Sequence, residues 1–205
     1  MGNYAVIADV GTILVDILRH GLVPELISDQ HGIDLASPAD KGDLSLGIWL
    51  YDIRESDEIR VSGMIGGGLT RQKFPPLYLN LYVMLTAYSG SDLKFRAVQE
   101  QRILGRVMQV LHDNPVIPAH TAGGSSGIDL RIDQMNLDIH DQREIWNVTD
   151  MPYKTSLFYR ISPVELESEK TKRISRVTDI DMTIEEKPYD QDRNSSEGTG
   201  GASGH

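Results

Sequence analysis

The chain has 205 residues, and 30 acidic against 20 basic side chains give it a formal net charge of −10. This length fits one domain with an arm, or two small domains, and 40% hydrophobic residues are enough for a core. The acidic balance argues against a general nucleic-acid binder, which gains affinity from a basic surface. The absence of cysteine excludes a disulfide framework, a thiol nucleophile and any Cys-ligated metal site.

The first predicted element is an amphipathic helix over residues 4–20, in which aliphatic residues recur every three or four positions. We expect Asn3 to cap its start and Gly21 to follow its end. This amino-terminal stretch has no basic region and carries acidic residues, so no signal peptide is predicted. No run of 18 apolar residues that would form a membrane-spanning helix occurs in the chain.

Residues 22–43 are rich in turn-forming residues, with room for a short strand at Val23–Ile27 or Ile33–Leu35. Period-two alternation then predicts a strand over 44–54. Residues 55–76 contain Gly66-Gly67-Gly68 and end at Pro75-Pro76, so we interpret them as one long loop. The triplet lacks the lysine and the following helix of a phosphate-binding loop.

The clearest alternation in the chain covers residues 77–88, with aliphatic residues on one face and Tyr78, Tyr82 and Tyr88 on the other. Tyrosine is enriched at interfaces because it has an apolar ring and a polar tip. We therefore expect this stripe to pack against a helix or to form a subunit interface. A base-stacking surface is the alternative, which the negative charge opposes.

A second helix is predicted from Ser91 or Asp92 to about His112, ended by Asn114-Pro115. Its expected core-facing stripe is Leu93, Val98, Leu104, Val107, Met108 and Leu111. Four further elements are predicted after this helix. They are a loop over 115–127, a strand near 128–132, a short helix over Ile139–Val148 anchored by Ile145 and Trp146, and a strand over 157–161.

No catalytic or metal-binding constellation emerges from the motifs, and no cofactor is predicted. Gly123–Gly127 matches Gly-x-Ser-x-Gly, but a nucleophile elbow needs a strand before the serine and a helix after it. Here a loop precedes Ser125 and a strand-like segment follows, so a serine esterase is only a remote alternative. The six histidines lack the spacing that places two ligands on one helical face.

The composition changes after Glu165, where aromatic residues almost disappear. We predict a domain over 1–165, an arm over 166–189 containing a strand, and a disordered tail over 190–205. The fold class is α+β: a mixed or antiparallel sheet packed by two main helices, with an extended C-terminal arm.

Five segments in order resemble the cap proteins of extracellular contractile injection systems, of the antifeeding-prophage and virulence-cassette type. They are Tyr4–Val10, Leu35–Asp40, Leu50–Ile53, Pro75–Leu81 with Leu85–Tyr88, and Pro152–Tyr159. The resemblance covers about residues 4–165 and implies a fold similar to phage tail terminators. It also implies a structural, non-enzymatic cap: a ring, expected to be hexameric, that ends the inner tube and sheath and joins the last sheath layer to the tube.

The resemblance further implies assembly in the cytoplasm, with sheath and inner-tube subunits as partners and neither nucleic acid nor membrane. The particle is released by lysis or stays in the cell. A tail completion protein of a phage or defective prophage is the alternative, which differs mainly in the sheath it meets.

Two partner contacts are hypothesised on this basis. The predicted arm strand would pair with sheath subunits through Arg176, Val177, Ile180, Met182 and Ile184, because a strand without its own sheet exposes unpaired backbone groups. The glycine loop would line the ring lumen or touch the tube end through Gly66, Gly67, Gly68, Arg71 and Lys73. The alternatives are an edge strand folded back on its own domain and a solvated hairpin loop.

Overall fold

The computed structural model describes residues 4–59, 63–66, 71–121 and 128–173, which all belong to one compact unit, Met1–Ile174. Within these ranges the helices are α1 Val6–Leu22, α2 Leu93–Asp113 and α3 Ile139–Asn147. The strands are β1 Ile33–Leu35, β2 Leu46–Glu55, β3 Ile65–Gly66, β4 Arg71–Lys73, β5 Leu77–Ala87, β6 Val116–Ile117, β7 Leu130–Gln134, β8 Ser156–Leu166 and β9 Thr171–Arg173.

The main sheet has six strands in the order β1-β2-β5-β8-β7-β6. The β1–β2 pair is parallel and the other pairs are antiparallel, so the sheet is mixed, as predicted. The long strands β2, β5 and β8 lie at its centre, and β5 is buried on both faces. Side chains alternate across a strand, so β5 contributes Leu81, Val83 and Leu85 to one core and Met84 to another.

The larger core lies between the sheet and the pair α1 and α2, as the predicted two-helix packing requires. Residues Val10, Leu14 and Leu18 of α1 are fully buried there at the helical spacing of four. The smaller core lies on the opposite face, where Trp146 of α3 packs with Met84 and Phe158. The sheet is thus covered on both faces by helices.

Two predicted features of α1 are wrong. Its N-cap position is Ala5, which makes no side-chain capping bond, and Asn3 lies outside the described residues. The helix includes Gly21 and ends at Leu22, because Val23 is extended before Pro24. Gly21 is therefore inside the helix, where it has a packing role described below.

The predicted loop over 55–76 is interrupted by β3 and β4, which pair with each other and with β9 in a second sheet of three strands. The predicted loop over 115–127 begins with β6. The short strand within 22–43 is Ile33–Leu35, whereas Val23–Ile27 forms turns. Strands of two or three residues are too short to show a period, so pairing partners rather than local pattern define them.

Candidate interaction surfaces

The three tyrosines of the strand predicted over 77–88 do not share one exposed face, and Tyr88 lies just beyond β5, which ends at Ala87. Tyr78 is 6% exposed and Tyr88 is 9% exposed, while Tyr82 is half-buried. The Nζ atoms of Lys41 and Lys154 lie 5.0 and 5.1 Å from the centre of the Tyr88 ring. Burial raises the pKa of Tyr88, so the ring stays neutral. Tyr82 is therefore the member of the predicted stripe with the most surface left for a partner.

Tyr82 borders an open pocket of about 520 Å³ between the sheet and α3. The guanidinium of Arg54 lies 5.1 Å from the Tyr82 ring centre, and its Nε donates to Asp52 Oδ2 at 2.6 Å. Asp141 and Glu144 line the α3 side of the pocket. Burial, and then the charge of Asp52, raise the pKa of Tyr51 to about 12. The aromatic residues and Arg54 at this pocket are of types that are enriched at protein interfaces.

The predicted tube loop is only partly described. Gly66 is the second residue of β3, Arg71 begins β4, and Gly67 and Gly68 lie outside the described residues. Lys73 Nζ makes an ion pair of 2.8 Å with Glu167 Oε2, so this cation is already bound within its own chain. The role of the loop stays a prediction.

The predicted sheath residues also lie outside the described part of the chain. They are Arg176, Val177, Ile180, Met182 and Ile184. The same is true of Ser125 and its glycine-rich motif. The arm and the tail beyond residue 173 therefore stay predictions.

The beginning of α2 is an exposed apolar surface, although the sequence predicts that its residues Leu93 and Val98 face the core. Leu93 is 81% exposed and Val98 is 48% exposed, and Phe95 beside them is 66% exposed. The helix becomes anchored near Glu100, whose Oε1 accepts from Lys154 Nζ at 2.6 Å and from the Ser89 backbone at 3.1 Å. The two turns before that point extend beyond the core. Helical periodicity shows which face of a helix is apolar, but it does not show at which residue the helix extends past the core.

A second feature missed from sequence is an apolar pocket of about 360 Å³ between the amino-terminal half of α1 and the sheet. Ala8 and Gly11 line it from α1, Tyr4 lines it from the turn before that helix, and Leu35 lines it from the edge strand β1. A β-carbon on Gly11 would lie 2.9 Å from Leu35 Cδ1, so the end of the Leu35 side chain packs directly over this glycine.

Among the residues that the structure describes, no three His, Asp or Glu side chains are grouped to hold a metal ion. None of the described helices is long and apolar enough to cross a membrane.

Residues 9–179 match the Pvc16 N-terminal domain family. The chain belongs to the Pvc16 N-terminal domain family. This match covers most of the chain, including all three helices except the first residues of α1. A search of curated proteins found no match.

Two solved structures share the fold of this Pvc16 N-terminal domain. The sheath/tube terminator of the extracellular contractile injection system PVC, in its extended state, aligns with a TM-score of 0.62 and 18% identity over 89% of this chain. The tube terminating cap of the anti-feeding prophage aligns with a TM-score of 0.56 and 17% identity over 86% of this chain. The present chain spans 64% and 61% of those two chains. The predicted α+β, terminator-like fold is confirmed.

Proposed function

We propose that this protein is the structural cap of a contractile injection system: it ends the inner tube and the sheath and joins the last sheath layer to the tube. The observation that carries the proposal is the family match over residues 9–179, together with a fold shared with a sheath/tube terminator and a tube terminating cap. A tail completion protein of a phage is the neighbouring alternative, and it differs in the sheath that is bound.

The outer side of β2 supports a role in assembly. Strand β1 pairs only with Leu46–Ile48, so residues 49–55 of β2 have no strand neighbour on that side among the described residues. An open strand edge is a site at which an extended segment of another protein adds by backbone hydrogen bonds. Such an edge suits a protein that binds other subunits.

The proposal is tested by assembling particles from the tube and sheath subunits of the same organism, with and without this protein. Electron microscopy then measures tube length. We expect a narrow length distribution and sheathed ends with the protein, and a broad distribution with detached sheaths without it. Identical length distributions would contradict the proposal.

The cap is proposed to be a ring of six copies, built in the cytoplasm. Light scattering of the purified protein measures the mass of the assembly, alone and with tube added. A mass of six chains supports the ring. A monomer in both conditions contradicts it.

The sheath contact is proposed for Arg176, Val177, Ile180, Met182 and Ile184. Because β9 pairs with β4, a truncation that tests this contact must retain residue 173. Deleting residues 175–205 is expected to leave a folded domain that binds tube ends but holds sheath weakly. Normal sheath attachment by the truncated protein would refute the contact.

The tube contact is proposed for Gly66, Gly67, Gly68, Arg71 and Lys73. Photo-cross-linkers placed at residues 68 and 71 should react with tube subunits in assembled particles. A cross-linker at Val148, which is 79% exposed on another part of the surface, is the control. Labelling of tube from position 148 but not from 68 or 71 would contradict the contact.

A further inference from the structure

We infer that neighbouring copies of this protein bind head to tail, with the exposed start of α2 in one copy filling the apolar pocket beneath α1 in the next. The inference names the contact that builds the proposed ring and rests on that part of the proposed function. It does not depend on which tube or sheath the ring caps.

The inserting element is the overhanging start of α2. Leu93 and Phe95 are two residues apart, about 200° around the helix axis, and both are exposed. Val98 adds apolar surface next to Phe95, one turn along. This end of the helix therefore exposes apolar side chains on opposite faces. A contiguous exposed apolar patch, such as the one that Phe95 and Val98 form, marks a protein contact.

The receiving element is the pocket of about 360 Å³ between α1 and the sheet. Its walls are almost entirely aliphatic, with Ile7, Leu14 and Val83 among them. The exposed residues Tyr4 and Ala8 are at its margin, so the pocket opens to solvent. An open aliphatic pocket gains free energy by taking up an apolar side chain, because that removes both surfaces from water.

The two elements lie at opposite ends of the helical layer. Arg106 of α2 donates from Nε to the Gly21 carbonyl at the end of α1, and Gln99 Nε2 donates to the Leu26 carbonyl just beyond. The start of α2 is thus past the carboxyl end of α1, whereas the pocket is at its amino end. Since α1 has 17 residues, these ends are separated by about 25 Å.

The separation of the two elements within one chain excludes an intramolecular contact between them. A chain cannot place its own α2 start in its own pocket across such a distance, so the contact must join two copies. The inference assigns the two patches of each copy to two different neighbours. Such a contact is heterologous, and repeated heterologous contacts close into a ring when the rotation allows it, whereas two copies that exchanged both patches would form a two-fold dimer.

The charges around the two surfaces are complementary. Lys94 and Arg96 are exposed at the start of α2, beside Asp92 at its N-cap, in a chain whose net charge is −10. Near the pocket, Asp34 precedes Leu35, and its side chain is 57% exposed although its Oδ2 lies 3.7 Å from Arg19 Nη2. Opposite charges at the edge of an interface speed association and fix orientation.

The test uses two variants of the full chain. Phe95→Asp removes the inserting side chain, and Ala8→Arg blocks the pocket from an exposed helical position. Each variant alone is expected to weaken self-association by about 10- to 100-fold, as loss of a buried aromatic contact implies. Each still keeps one intact surface, so an equimolar mixture should give a one-to-one dimer and nothing larger. Val148→Asp is the control and should associate like the wild type.

Cross-linking adds a direct geometric test, since the natural chain contains no cysteine. A chain carrying both Ala8→Cys and Phe95→Cys should form disulfide-linked multimers on oxidation, whereas Ala8→Cys with Val148→Cys should not. The inference is overturned if the wild type stays monomeric up to its solubility limit and the chain with Ala8→Cys and Phe95→Cys forms no disulfide-linked products. It is also overturned if the mixture of the Phe95→Asp and Ala8→Arg variants fails to form a dimer. Rings that form by this contact but ignore tube ends would refute the cap function and leave the contact intact.

Discussion

A β-carbon on Gly21 of α1 would lie 2.3 Å from Cγ2 of Val110 on α2, far closer than two carbon atoms can approach. The glycine is helical, so its role is not to allow a positive φ. It removes a side chain at the point where α1 and α2 cross. The two helices reach their observed separation because this position is empty.

The first prediction concerns this crossing. Gly21→Ala gains about 1 kcal/mol of helix propensity, but forcing an atom into a filled site costs about 1–3 kcal/mol. Because Val110 is β-branched and buried, we expect a net loss of stability, measured by urea unfolding. Gly105→Ala on α2 is the matched control: its β-carbon would meet nothing within 4 Å, so it should stabilise. Equal stabilisation by both substitutions would contradict the account.

The crossing also shows what could be predicted from the sequence. Spacing predicted all three helices and the strands β2 and β5, because amphipathic elements repeat the same contact many times. Of the long strand β8, Ser156–Leu166, only residues 157–161 are predicted. The helical pattern predicts that Gly21 follows α1, since a glycine at the end of such a pattern usually ends a helix. The atom that makes Gly21 a packing residue belongs to Val110, 89 positions away in the sequence (110 − 21). Local pattern contains no information about such a neighbour.

A second prediction concerns the anchor of α3. Trp146 is 2% exposed, packs with Met84 and Phe158, and has its indole Nε1 buried without a hydrogen-bond partner in the described part of the chain. Trp146→Ala should lower the free energy of unfolding by about 3–5 kcal/mol, since it leaves a large cavity. Trp146→Phe should lower it by much less, because it fills most of the site and removes the unpaired donor. Similar losses from both would contradict this account, because they would show that the phenyl ring does not replace the packing of the indole.

A third prediction concerns the point at which α2 becomes anchored. Glu100 Oε1 accepts from Lys154 and from the Ser89 backbone in a partly buried setting. Glu100→Ala should therefore cost about 1–3 kcal/mol in thermal or urea unfolding. Glu58→Ala is the control: its side chain is 72% exposed and contacts Arg160 at 3.4 Å. An exposed pair of this kind contributes about 0–1 kcal/mol. Equal losses would mean that burial at Glu100 adds nothing.

A fourth prediction follows from the raised pKa of Tyr51, which is about 12 in the folded chain against 10.0 for an unperturbed tyrosine. Between these values the unfolded chain releases the phenolic proton while the folded chain retains it. The contribution of Tyr51 to stability is thus complete below pH 10 and declines as the pH rises toward 12.

The variant Tyr51→Phe has no proton to release at this position. The free energy of unfolding of the wild type should therefore fall more steeply than that of the variant above pH 10. Denaturant titrations at several alkaline pH values measure the difference. Parallel pH profiles would show that Tyr51 ionises normally in the folded chain.

The interaction surfaces were less predictable than the fold. The sequence predicts that Leu93 and Val98 face the core, because apolar residues have the same spacing in a helix that lies on the core and in one that extends past it. The sequence predicts that Tyr78, Tyr82 and Tyr88 pack against a helix or form a subunit interface, but alternation does not show how deeply each position is covered. Tyr78 and Tyr88 are buried, whereas Tyr82 is half-buried.

The central claim is that this protein occupies the end of a tube, and the most direct measurement is its position on assembled particles. A gold label attached to a cysteine introduced at Val148 would be located by electron microscopy on particles built with the tube and sheath subunits of the same organism. The account predicts label at one end of each particle and none along its length. Label distributed along the sheath, or absent from otherwise complete particles, would contradict it.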